Sequence, residues 1–160
     1  YDISATGFYF ESSEQYNEHI KNAVNGYGEP VEEFEIQFID GDDIDCDLAK
    51  AWCLNQCNFG QFFDAVDEWD ENQKQHYIIA VGECGYSHNQ LEDDPENIDI
   101  DIYQLDSLKE LAEQFIDDGL FGEIPESIQY YIDYDAVARD LGMDYSETNI
   151  AGQNLIYRCA

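Results

Sequence analysis

Acidic side chains alternate with large apolar ones along almost the entire chain, and hardly any Lys or Arg stands among them. In Glu33–Ile39, Phe34, Ile36 and Phe38 alternate with Glu33, Glu35 and Gln37. In 107–118, Leu108, Leu111, Ala112, Phe115 and Ile116 recur at helical spacing against Glu110, Glu113, Gln114 and Asp117. Taking an unpaired carboxylate out of water costs several kcal/mol. A chain of this pattern therefore folds only by burying the apolar positions and leaving the acids on the surface.

The imbalance has a scale. There are 37 Asp and Glu against 6 Lys and Arg, a formal net charge of -31. Aromatic residues make up 14% of the chain, which separates it from the solvated acidic tails that stay disordered. Its 160 residues allow one ordinary domain, or two to three small subdomains sharing a core. Duplex DNA carries about one negative charge per ~1.7 Å of axis, so this charge matches roughly 15 base pairs. Such a field repels nucleic acid, anionic lipid and phosphorylated substrates, and attracts basic protein surfaces. Salt adaptation, calcium storage and simple solubility are the competing explanations of an acidic surface.

The periodicities imply an α+β chain of three small subdomains. Residues 1–42 read as an N-terminal α+β unit: an aromatic strand Gly7-Phe8-Tyr9-Phe10-Glu11, a helix capped by Ser12 or Ser13 and running to about Asn25, then the strand Glu33–Ile39. Residues 43–97 read as a central helical unit with an acidic loop from 86; its apolar stripes are Leu48, Ala49, Trp52, Cys53 and then Phe59, Phe62, Phe63, Val66, Trp69. Residues 98–160 read as a C-terminal α+β unit. It has a strand over 98–103, a helix capped at Asp106 or Ser107 and stopped by Gly119, two short helices at 127–131 and 135–141, and a closing strand at 154–158.

Chemistry-bearing motifs are sparse. Cys46, Cys53, Cys57, Cys84 and Cys159 are odd in number with no signal peptide before them, which points to buried free thiols in a reducing cytosol. Cys53 and Cys57 stand four apart in the expected helix, and His76 and His88 do not complete a zinc pattern. The acidic run Asp40–Asp47 fails as an EF-hand loop: from Asp43 the sixth and twelfth positions are Leu48 and Leu54, and from Asp40 the fifth is Ile44. No phosphate loop, dinucleotide fingerprint or nucleophile elbow is present, so no catalytic residue, metal or cofactor is expected. No apolar run approaches the ~20 residues of a membrane span. The first residue is Tyr1, not Met, so the natural protein is expected to begin earlier.

Gly122-Glu123-Ile124-Pro125-Glu126-Ser127-Ile128-Gln129-Tyr130-Tyr131-Ile132-Asp133-Tyr134-Asp135-Ala136-Val137-Ala138-Arg139-Asp140-Leu141 resembles the ArdA antirestriction family. Tyr1–Ile20 is similar to the family's first segment, with Phe8 or Tyr9 where a Trp is common, and the acids before Leu48-Ala49-Lys50-Ala51-Trp52 are similar to its central region. The resemblance implies a leading strand before Tyr1 and a cytoplasmic protein carried by a phage or mobile element. It further implies an elongated, usually dimeric mimic of bent DNA that occupies the DNA-binding groove of type I restriction-modification enzymes. Gly122, Pro125, Ser127, Gln129, Tyr131, Tyr134 and Arg139 are then structural or dimer-contact positions. In that role Gly122 and Pro125 shape a turn, Tyr131 and Tyr134 pack, and Arg139 pairs with Asp133 or Asp140.

The carboxylates expected to stand in for phosphates fall in four groups. Asp40, Asp42, Asp43, Asp45 and Asp47 surround the start of the helical unit. Asp64, Asp67, Glu68, Asp70 and Glu71 lie between its apolar positions. Glu110, Glu113, Asp117 and Asp118 belong to the 107–118 helix, where neighbours at i+3 and i+4 stand about 5 to 6 Å apart, comparable with adjacent phosphates. Glu123, Glu126, Asp133, Asp135 and Asp140 belong to the family motif. An acidic interaction module for another basic DNA-binding or host-defence protein is the alternative reading. Six scattered bases make no patch for nucleic acid itself.

Overall fold

The computed structural model describes residues 4–88 and 94–159. Helix α1 (Ser13–Ile20) begins where the Ser12 hydroxyl accepts the Gln15 N–H, and buries Tyr16. It is shorter than its apolar pattern predicts. Asn22 turns its side-chain amide back to the Glu18 carbonyl, and Asn25 Oδ1 accepts from the N–H groups of Tyr27 and Glu29. These local bonds compete with helix continuation and bend the chain through 25–29.

Neither expected N-terminal strand forms a ladder among the described residues. The alternation of Glu33–Ile39 is nevertheless visible in burial: Phe34, Ile36 and Phe38 are half-buried while Glu33, Glu35 and Gln37 are exposed. A side chain takes the place of a neighbouring strand. Phe34 N–H donates to Gln56 Oε1 at 2.7 Å, and Gln56 Nε2 donates to the Glu32 carbonyl at 3.2 Å. The Gly7–Phe10 segment is likewise held by rings: Phe8 and Phe10 meet Tyr16, Phe34, Phe59 and Phe63 at centroid distances of 5.0–6.1 Å. A period of two dictates an extended backbone with one face inward, but it does not supply a partner.

Helices α2 (Asp43–Trp52), α3 (Phe59–Glu68) and α4 (Glu71–Tyr77) follow, and α4 runs on into a π-helical turn at Ile78–Glu83. Cys53 ends α2 in the left-handed conformation (φ 51°), and Asn55 and Asn58 close the turn that follows. Cys53 and Cys57 therefore lie outside the helix that the spacing predicts, and both are exposed free thiols. Asp70 and Gln73 form a reciprocal capping box that starts α4.

The C-terminal part contains β1 (Ile100–Tyr103), α5 (Leu108–Asp117), α6 (Glu126–Gln129), α7 (Tyr134–Leu141), β2 (Ser146–Ile150) and β3 (Gln153–Cys159). The three strands pair antiparallel in the order β1-β3-β2. Ala151 (φ 51°) and Gly152 (φ 82°) join β2 to β3, the positive-φ pair of a tight hairpin. Alternate residues of β3 serve two cores. Leu155 and Tyr157 pack with Leu48, Trp52, Phe62, Tyr77 and Ile79 from the helices, while Ile156 packs with Leu111, Phe115 and Tyr145 on the opposite face. Ser107 caps α5, whose buried side is Leu111, Ala112, Phe115 and Ile116. Fully burying an aliphatic or aromatic side chain stabilises by about 1.5–3 kcal/mol, so Leu111→Ala would break this second core first.

Cys84 and Cys159 are joined in a disulfide with Cα atoms 5.6 Å apart. This corrects the expectation of five free thiols. The two residues are 75 apart in sequence, and only the return of β3 past the end of the π-helical turn brings them together.

Candidate functional site

Few of the acids have a basic partner. Four of the six bases are held within the molecule: Lys50 by Asp47 (2.8 Å), Lys74 by Asp45 (2.7 Å), Lys109 by Asp135 (3.1 Å) and Arg158 by Asp101. Donating to these carboxylates pushes the pKa values of Lys50, Lys109 and Arg158 upward. Arg158 also lies over the Tyr145 ring at 5.2 Å from its centroid. Most of the remaining carboxylates face water with no cation beside them.

Burial and bonding sort the expected mimic residues into two classes. Asp45 is 7% exposed and its carboxylate is closed off by Lys74, itself 9% exposed, so it lies inside the molecule and not on its acidic face. Asp47 is half-buried and also accepts the Ala151 N–H at 3.0 Å. Burial pushes the Asp47 pKa up, but the hydrogen bonds from Lys50 and Ala151 and the Lys50 charge outweigh it and hold the group below the usual carboxylate range. Asp70 and Asp133 cap α4 and α7, and Glu110 Oε2 accepts the Asp106 N–H ahead of α5. These groups remain exposed while holding local structure.

The other expected acids are exposed and carry no ion pair among the described residues. Asp40, Asp42 and Asp43 cluster at the N-terminus of α2; Asp64, Asp67 and Glu68 lie along α3, with Glu71 opening α4. Glu113, Asp117 and Asp118 lie along and beyond the outer side of α5, followed by Glu123, Glu126 and Asp140. Acids that the motif-led reading passed over are equally open, among them Glu14, Glu18, Glu96, Asp99 and Asp144. The signal was clearest at Asp99 and Asp144, each of which stands between two large apolar residues.

The family-motif residues divide as well. Gly122 has φ 92°, as the expected turn requires, and Pro125 caps α6. Gln129 Nε2 reaches the Ile124 carbonyl, and Ser127 is exposed. Tyr134 is half-buried, but Tyr131 is 85% exposed and does not pack within the chain. Arg139 is exposed and forms no ion pair among the described residues. Asp133 instead accepts the Ala136 N–H. With Leu120, Phe121, Ile128, Tyr130 (95% exposed) and Met143, Tyr131 belongs to a group of exposed large apolar residues within 120–143; Tyr9, Val24, Tyr27 and Ile39 are exposed elsewhere.

Among the described residues no three or more His, Cys, Asp or Glu converge on a point where a metal ion would sit, and no helix is long and apolar enough to cross a membrane. A cleft lined by Gln104, Leu105, Asp106, Glu110 and the β2–β3 turn is polar and open. A family model described as "Antirestriction protein (ArdA)" matches residues 7–152. No curated protein matches the chain.

Proposed function

The chain belongs to the ArdA antirestriction protein family, and from that membership we propose that it inhibits type I restriction-modification enzymes by occupying their DNA-binding groove in place of DNA. The observation that carries this reading is the surface of unpaired carboxylates left when four of six bases are tied up internally. Carboxylates on the outer sides of α3 and α5, about 5 to 6 Å apart along each helix, meet Lys and Arg side chains that otherwise grip phosphates. Inhibition needs no chemistry. The protein competes as a polyanion whose charges are fixed in place, so it does not pay the ordering cost of a flexible acidic tail.

The exposed apolar run over 120–143 fits a second copy of the chain, which would extend the acidic surface to about twice the charge of one protomer. Three units along an elongated axis, in the cytoplasm of a bacterial host, complete the proposal. The test is displacement: titrate the protein against DNA bound to a purified type I methyltransferase core. Stoichiometric displacement that weakens with salt is expected. Unchanged DNA occupancy at equimolar protein would refute the reading, and capture of ribosomal or histone-like proteins alone would favour the broader acidic-module alternative.

A further inference from the structure

A cleft of about 190 Å³ opens between Trp52, the last residue of α2, and Trp69, which ends α3. Its floor and rim come from one side of α3: Gln61, Asp64, Ala65 and Glu68, at i, i+3, i+4 and i+7. His88 closes the far side. The walls are fixed from behind. Tyr77 stacks on Trp52 at 4.7 Å and shares a hydrogen bond of 2.9 Å with His88 Nδ1, and the Trp52 and Trp69 rings are 5.6 Å apart. Trp52 is only 5% exposed, its ring covered by Tyr77 and by His88 at 4.6 Å, so the open indole of the cleft is that of Trp69. Neither rim carboxylate has an ion-pair partner among the described residues, and no Lys or Arg lines the space.

We propose that this cleft takes the guanidinium of a single arginine side chain on the target protein. Two features of the site attract a cation. The half-buried Trp69 ring attracts positive charge through its quadrupole. Asp64 and Glu68 supply two acceptors one helical turn apart. Arginine fits better than lysine because a planar guanidinium stacks on an aromatic wall and still donates along its edge to carboxylates. The acidic field then attracts the partner from a distance, while the cleft anchors one residue of it. The proposal rests on the competitive reading for the partner's identity, but not for the chemistry of the cleft.

The chain's two Trp residues both line the cleft, so intrinsic fluorescence reports it directly. At constant ionic strength, N-acetyl-arginine amide should change Trp emission saturably in the whole protein, and N-acetyl-lysine amide should do so more weakly. The doubly substituted Asp64→Asn/Glu68→Gln protein, with an unchanged urea midpoint, should lose the response. In the DNA-displacement assay that variant should be weaker by about tenfold more than Glu113→Gln/Asp117→Asn, which removes equal charge from α5, as expected for loss of an anchoring contact. No saturable emission change, or equal losses from the two double variants, overturns the cleft and leaves competitive inhibition standing. A saturable, carboxylate-dependent change in a protein that displaces no DNA supports the cleft and refutes the competitive reading instead.

Discussion

Asp45→Asn separates the acids that hold the fold from those that face outward. The carboxylate and the Lys74 ammonium are 2.7 Å apart and both side chains are about nine-tenths buried. At an effective dielectric of about 20 their attraction is on the order of 6 kcal/mol before desolvation is subtracted. Removing one member leaves the other charge buried, which costs about 3–5 kcal/mol. The small part of the Lys74 side chain left exposed gives the freed ammonium a route toward water, which places the expected loss at the lower end, about 3 kcal/mol. For a domain of this size that lowers Tm by about 6–12 °C. With an m-value of about 2 kcal/mol/M the urea midpoint falls by about 1.5 M. DNA displacement per folded molecule should not change, because the lost charge never faced a partner. Replacing both residues, Asp45→Leu with Lys74→Met, should recover most of the stability, since a buried pair is often matched by apolar residues of similar volume. The reasoning fails if Asp45→Asn unfolds at the parent midpoint but loses inhibition.

Neutralising the exposed block Glu110, Glu113 and Asp117 together should weaken inhibition measurably while each single change does not, read as the concentration that displaces half the DNA. Within that block Glu110→Gln should keep its bond to the Asp106 N–H, so its helix should remain intact by circular dichroism. Raising salt from 0.05 to 0.5 M should raise the urea midpoint and weaken inhibition, because screening relieves self-repulsion and attraction alike; a midpoint that falls with salt would contradict the surface described. Asp47 has a depressed folded pKa, so its contribution is present above the unfolded value of about 3.9 and disappears as pH falls through the lower folded value. Asp47→Asn should cost about 1 kcal/mol at pH 7 and flatten that acid dependence in urea titrations. Ala151→Gly should stabilise by about 0.5–1 kcal/mol, since Ala151 holds a left-handed conformation in the hairpin turn.

The elements that local chemistry defines were legible in the sequence. Ser12 and Ser107 mark helix starts because a cap and its target N–H lie within three residues. The buried side of α5 follows from spacing alone, as does the closing strand β3. What the sequence concealed is decided at long range. The alternation of 33–39 was real, but whether it met a strand or the amide of Gln56 depended on a loop more than 20 residues away. Asp45 looks like its neighbours Asp43 and Asp47 until α4 brings Lys74 across from 29 positions on. The union of Cys84 with Cys159 and the exposure of Tyr131 depend on the tertiary fold in the same way. The Trp52–Trp69 cleft was hidden for the opposite reason, because both residues fit the apolar stripes so well that core packing explained them.

The placement of the few cations gives the acidic surface its meaning. A surface made acidic for solubility alone is free to scatter Lys at i+4 from Glu along helix faces, where each pair stabilises by about 0.2–0.5 kcal/mol. Among the described residues the only such near-neighbour pair is Lys50 with Asp47, and that carboxylate also holds the hairpin turn at Ala151. The other three pairs each join distant elements: α2 to α4 through Asp45–Lys74, α5 to α7 through Lys109–Asp135, and β1 to β3 through Asp101–Arg158. Three of the six bases thus stand at seams between elements, and the others are too few to soften the field along the helix faces. Adding Lys to those faces would raise helix stability slightly and remove the property that distinguishes this surface from an ordinary one. The pattern fits a protein in which uncompensated charge is the functional feature and the fold is arranged to tolerate it.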